Sequence, residues 1–153
     1  MRWIKGYWVR VKYPKDLWKT MRFEEIEREL EVAEEELSSA QILFEHGRYR
    51  DAISRAYYSM FHSARALLLM KGTNPKKHSG TLAMLGMEYI KEGILDEYYG
   101  KAFTKAFQLR SQADYNVMYT PSREEVEEII ETALEFLEKA REMIGVWNRG
   151  KER

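Results

Sequence analysis

Residues 51–70 read DAISRAYYSMFHSARALLLM, and the spacing of their apolar positions decides the fold. Ile53, Ala56, Tyr57, Met60, Ala64, Leu67 and Leu68 recur at steps of three and four, the signature of one face of an α-helix. A second stripe runs along the same segment. Arg55, Tyr58 and His62 are three, four and seven residues apart, so they stack on one side of the helix over about two turns. A cation, a phenol and an imidazole therefore lie beside the core face, where a ligand or partner could meet them.

Outward from this segment the helical pattern continues in both directions. Residues 23–46 carry Ile26, Leu30, Ala33, Leu37, Ala40 and Phe44 on one face and mostly glutamate on the other. Gly47 is placed to end that helix, and residues 48–51 leave so short a connection that the next helix must return antiparallel. Gly72, with Pro75 soon after, ends the central helix in turn. A third helical region is expected from an N-cap at Ser79 to Gly93. After a turn at residues 94–96, a fourth presents Tyr99, Ala102, Phe103, Ala106, Leu109 and Ala113. Thr120-Pro121-Ser122 breaks the chain. Ser122 and Glu125 form a capping box for a last helix, with Val126, Ile129, Ile130, Ala133, Leu134, Leu137, Ala140 and Ile144 on its apolar face up to about Trp147.

These patterns predict an all-α fold, an antiparallel bundle of four to five helices over residues 23–147, with a frayed tail over 148–153. Residues 1–22 read differently. Trp3, Tyr7, Val9, Val11 and Tyr13 alternate loosely with polar positions in a strand-like way, and no other segment offers a partner edge. They are expected to form a short extended arm, closed by a break at Pro14 and Asp16. The arm holds seven basic residues against one acidic, so the balanced total of 25 basic and 25 acidic residues hides a basic arm on an acidic body. Such an arm suits either nucleic acid or an acidic protein surface, its own or a neighbouring subunit's.

Composition narrows the chemistry. At 153 residues, with 44% hydrophobic and 33% charged, the chain fits one globular domain with a heavily solvated surface. No apolar run reaches the roughly 20 residues that span a bilayer, and the basic N-terminus lacks the apolar core of a signal peptide; a cytoplasmic location without membrane attachment is the expectation. Zero cysteines remove disulfides, thiolate metal sites and cysteine nucleophiles. The three histidines, His46, His62 and His78, stand in no E-x-x-H or H-E-x-x-H arrangement, and no glycine-rich phosphate loop is present, so neither a metal nor a cofactor is expected.

Two segments can carry a site. One is the Arg55, Tyr58, His62 stripe. The other is LRSQADY, in which Arg110 and Asp114 lie four apart on one helical face with Tyr115 beside them. Each has a plain structural alternative: an i, i+4 ion pair for Arg110 and Asp114, an imidazole bonded to a neighbouring helix for His62, and core packing with hydroxyls at the edge for Tyr57 and Tyr58.

The run GRYRDAISRAYYSMFHSARALLLMKG, followed by KKHSG and then LRSQADY, resembles the HEPN superfamily, and more narrowly the small prokaryotic proteins grouped as UPF0332. The R-A-Y-Y-x-M-F-H and R-x-x-A-D-Y blocks carry the likeness, which spans roughly residues 27–143. It implies a helical bundle that forms a homodimer and pairs with a minimal nucleotidyltransferase, in toxin–antitoxin or defence loci, with RNA or nucleotide as further ligands. It also implies an alternative: many members resemble metal-independent endoribonucleases with an R-x(4–6)-H motif. There an arginine holds the scissile phosphate and a histidine moves a proton.

In this chain Arg110 stands at the motif's arginine, but Tyr115, Asn116 and Val117 occupy the places of its histidine. Arg55 and His62 do satisfy the spacing, on a different helix. A catalytic site would need Arg110 with His62 or Tyr115, and a binding site would draw on Arg55, Tyr58, His78 and Asp114. With the motif's histidine missing, little or no RNA cleavage is expected. The two segments are expected to converge in one cleft with Tyr115 at its edge.

Overall fold

The computed structural model describes residues 2–4, 7–9 and 17–151, with side-chain surroundings for 22–146. Five helices make the bundle: α1 (Leu17–Glu45), α2 (Tyr49–Met70), α3 (His78–Leu85), α4 (Glu97–Tyr115) and α5 (Arg123–Lys151). The fold is an all-α helical bundle, as the periodicity requires. α2 is its axis, packed against all four of the other helices. Every residue of the apolar face read from the sequence, from Ile53 to Leu68, is fully buried.

Burial of α2 extends past that face. Ala52, Ser54, Ser59, Ser63 and Ala66 are also buried, and their small side chains let neighbouring helices approach on the remaining sides. The hydroxyls cost little there because they are satisfied: Ser59 donates to the Ala33 carbonyl at 2.8 Å, and Ser63 to the Ser59 carbonyl at 2.9 Å. An aromatic chain ties three helices together. Tyr57 on α2 meets Phe103 on α4 at 5.8 Å between ring centres, and Phe103 meets Phe136 on α5 at 6.0 Å. Side chains of this size contribute roughly 1.5–3 kcal/mol each when fully buried.

The glycine stops hold. At Gly47, with φ 73°, the Arg48 amide donates to the Leu43 carbonyl at 2.8 Å and Gly47 to Phe44 at 3.0 Å, the paired bonds that close a helix through a left-handed residue. Gly72 repeats the arrangement at the end of α2, with Thr73 donating to Leu68 and Gly72 to Leu69. At the start of α5, the Glu125 amide donates to Ser122 Oγ at 3.1 Å, the forward half of the expected box.

Several boundaries differ from the sequence reading. α1 begins at Leu17, not at residue 23, because nothing between Leu17 and Arg22 breaks a helix. α3 begins at His78 after an extended Lys77 with no side-chain cap, so Ser79 is already inside it. The third region is not one helix: α3 passes into a π-helical turn, Gly86–Ile90, which carries the buried Tyr89 onto the Leu67 carbonyl of α2. On α5, Phe136 is buried and Leu134 is 39% exposed, although Leu134 continues the three-and-four steps from Ile130 to Leu137, so spacing alone does not separate the two. That helix also continues to Lys151 instead of stopping near residue 147.

The basic arm contains its own partner edge. β1 (Arg2–Ile4) pairs antiparallel with β2 (Tyr7–Val9), in the register Arg2 with Val9, Trp3 with Trp8 and Ile4 with Tyr7. Only Lys5-Gly6 separates them in sequence, the length of the tightest hairpin connection. The expected break at Pro14 and Asp16 lies outside the described residues. No helix among the described residues is long and apolar enough to cross a membrane.

Candidate functional site

On α2, Ser54 lies four residues after Arg50, and Tyr57 and Tyr58 lie three and four after Ser54; on α4, Asp114 lies four after Arg110. Where the two helices pack, these side chains meet. Arg110 Nη2 donates to the Tyr58 hydroxyl at 3.0 Å, and its guanidinium lies 5.5 Å and 5.4 Å from the ring centres of Tyr57 and Tyr58. Asp114 Oδ2 is 2.8 Å from Arg110 Nε, but the buried Nε–H is not aimed at it, so the pair attracts by charge without a formed hydrogen bond. Asp114 Oδ1 accepts instead from Ser54 Oγ at 2.8 Å. Arg110 is largely enclosed, its side chain 16% exposed, and among the described residues it keeps donor capacity unused.

His78 joins this cluster from α3. Its Nδ1 is 2.8 Å from the Tyr57 hydroxyl, its ring stacks on Phe61 at 4.3 Å, and it meets Tyr58 edge-on at 5.7 Å. Burial, and then the charges of Arg110, His62 and Arg65, push its proton affinity below that of an ordinary histidine. Tyr57 moves the opposite way: burial raises its pKa, partly offset by Arg110, so it stays a neutral phenol able to donate or accept. The site thus sets a permanent cation beside an imidazole held neutral at neutral pH.

A second polar group lies along the α1 side of α2. His62 Nδ1 is 2.6 Å from Glu29 Oε2, and Arg65 Nε donates to Glu29 Oε1 at 3.1 Å. Arg65 also donates to Asn74 Oδ1 at 2.7 Å and the Pro75 carbonyl at 3.2 Å, which fastens the segment between α2 and α3. Burial alone would raise the Glu29 pKa, but the hydrogen bonds and charges of His62 and Arg65 outweigh it and hold the carboxyl below the usual range.

The residues singled out from sequence therefore fall into separate places. Arg110, Asp114, Tyr58 and His78 come together. Arg55 borders them, its guanidinium 4.9 Å from the Tyr58 ring centre and bonded to Glu36 on α1 at 3.0 Å. His62 is engaged with Glu29. Tyr115 is 77% exposed at the end of α4 and makes no hydrogen bond to the cluster among the described residues. A surface cavity of about 410 Å³ opens near that end, between residues 47–51 and the segment from Val117 to Pro121.

Sequence reasoning missed Ser54 and Arg50, and read Tyr57 as a core residue with its hydroxyl at the edge. Ser54 and Arg50 lie at successive four-residue steps before Tyr58, so extending the stripe toward the helix start would have found them. Arg50 closes the far end of α4, donating to the carbonyls of Ala113, Asn116 and Tyr119. Glu29 carried no such signal, being one glutamate among many on α1. Among the described residues no group of three or more histidine and carboxylate side chains could hold a metal ion.

The HEPN domain model matches residues 26–143. A protein of Methanocaldococcus jannaschii named "Putative toxin" is 49% identical over 121 residues, covering 79% of this chain and 90% of its own length. A "UPF0332 protein" of Pyrococcus horikoshii is 42% identical over 129 residues, covering 84% and 87%. A second "Putative toxin" of M. jannaschii is 38% identical over 120 residues, covering 78% and 82%. With its central helix, its R-A-Y-Y and A-D-Y blocks and these relatives, the chain belongs to the HEPN superfamily, in the UPF0332-like group.

Proposed function

We propose that the protein is an interaction module of the toxin–antitoxin type, a homodimer that pairs with a minimal nucleotidyltransferase and takes a phosphate of RNA or nucleotide at Arg110. The relatives named as toxins support the first part. The observation that carries the second is the state of Arg110: enclosed, oriented by Asp114 and two tyrosine rings, and left with unused donors. A guanidinium so fixed presents a planar fork to a phosphate with little entropy left to lose.

The test is Arg110→Ala. Loss of a charge-assisted contact should weaken binding of labelled RNA or nucleotide by roughly 1–3 kcal/mol, with a melting temperature almost unchanged. A large loss of stability with unchanged binding would make the cluster structural and end this reading. The second reading, a metal-independent endoribonuclease, is favoured by one observation: an imidazole, His78, shares the cluster with Arg110. RNA cleavage in EDTA that disappears in Arg110→Ala would establish it; intact RNA would leave binding as the role.

A further inference from the structure

The charges in the Arg110 cluster do not suit every phosphate equally. Asp114 already balances Arg110, and His78 is held neutral, so the empty cluster is close to electrically even. A phosphate diester brings one negative charge, and Arg110 can meet it alone. A terminal phosphate, a monoester, brings up to two near neutral pH. The groups facing His78 decide what happens to that second charge. On α2 these are Tyr57, Tyr58, His62 and Arg65; on α4 Arg110, with Asp114 behind it; and Glu29 of α1 stands behind His62. Those whose charge acts directly on His78 are cations, and they disfavour its protonation only while no anion lies between them.

Resting on the reading that Arg110 receives a phosphate, we propose that Arg110 and His78 together form a two-cation site for a phosphate monoester, His78 taking up one proton from solvent as the monoester arrives. The hydrogen-bond geometry allows it. Tyr57 is a neutral hydroxyl and can reverse its role, accepting from a protonated Nδ1–H where it met a neutral ring. Among the described residues Nε2 of His78 has no hydrogen-bond partner, so its N–H is left to donate to the phosphate oxygen. The bound state then holds Arg110 and an imidazolium against the two charges of the ligand. Proton balance is closed by water, and no bond of the ligand breaks. Affinity accordingly falls as pH rises through the range in which the bound His78 loses its proton.

The monoester could be a free nucleotide or the end of an RNA chain, and three probes separate them: 5′-AMP, a short RNA with a 5′-phosphate, and the same RNA without it. Titration calorimetry of the full chain near neutral pH, in two buffers of different ionisation heat, reads proton uptake directly. Uptake is expected with AMP or the phosphorylated RNA and not with the third probe. His78→Gln should abolish it and weaken the monoester about tenfold, the equivalent of a one-unit pKa rise on binding. Because that variant also loses the bond to Tyr57, the wild-type His78 resonance is followed in parallel, assigned by its absence in the variant, and its titration should move upward when AMP is bound. Binding that needs Arg110 but shows no proton uptake and no movement of His78 overturns the proposal and leaves the phosphate reading standing. Equal binding of the unphosphorylated RNA also overturns it. If no probe binds, the phosphate reading falls with it.

Discussion

Glu29→Ala is the perturbation most directly worked from the geometry. The carboxylate accepts from His62 at 2.6 Å and Arg65 at 3.1 Å, with side-chain exposures of 19% for Glu29, 23% for His62 and 21% for Arg65. Charge-assisted bonds of this kind contribute about 1.5–3 kcal/mol each. The two share one acceptor group, and water can reach part of the vacated site, so they do not add fully. A loss of about 2–4 kcal/mol is expected, or roughly 5–15 °C in melting temperature for a chain of this length. Far-UV circular dichroism, followed through guanidinium and thermal unfolding at neutral pH, measures it. The pH dependence supplies an internal control. Glu29 is held below its ordinary value of 4.5, so its stabilisation is fully present above that value and is lost as pH falls through the lower folded-state value. Wild type should lose more ground in acid than the variant, and the gap should close as pH falls through the lowered folded-state value. An unchanged midpoint at neutral pH, or a gap that persists in acid, would refute the electrostatic account.

Arg50→Ala should cost about 1–3 kcal/mol, since three carbonyls at the end of α4 lose their donor, and hydrogen exchange should quicken at residues 113–119. Light scattering at micromolar concentration should return twice the 18.3 kDa chain mass, and a monomer mass would overturn the homodimer. Removing residues 1–16, which end just before α1, should leave the helical dichroism intact, and a collapse of that signal would make the arm part of the core. If the arm contacts RNA, its loss should also flatten the salt dependence of binding.

The fold was legible because helical burial writes itself into spacing. From Ile53 to Leu68 no residue of the inferred face proved exposed. The glycine stops were legible for a related reason: a left-handed residue is cheap for glycine and costly for others. What local pattern cannot express is contact between elements. Phe136 and Leu134 sit two residues apart and are equally apolar, and only the neighbouring helices decide which is inside. The hairpin was missed for want of a partner, although only Lys5-Gly6 separates its two strands in sequence. In the candidate site, Arg110 with Asp114 followed from i, i+4 spacing. The bond from Ser54, the arrival of His78 on Tyr57 and the engagement of His62 with Glu29 join positions 21 to 60 residues apart in the chain, and no periodicity encodes them.

The arginines around α2 differ in how their donors are used. Arg65 spends its donors on Glu29, Asn74 and Pro75, linking α1, α2 and the segment before α3. Arg50 spends its own on three carbonyls at one helix end. Each gives three hydrogen bonds to the protein, which is what a structural role predicts, because an enclosed guanidinium with idle donors forgoes hydrogen bonds it had in water. Arg110 is the exception. It is as enclosed as Arg65, with side-chain exposures of 16% and 21%, yet among the described residues its one formed hydrogen bond goes to a phenol, and its Nε–H is buried and misaligned with the carboxylate beside it. A guanidinium enclosed in this way carries a desolvation cost that one hydrogen bond to a phenol and a misaligned carboxylate offset only in part. The deficit at Arg110 is therefore itself an argument for a ligand: a phosphate oxygen would supply the acceptors that α2 and α4 withhold.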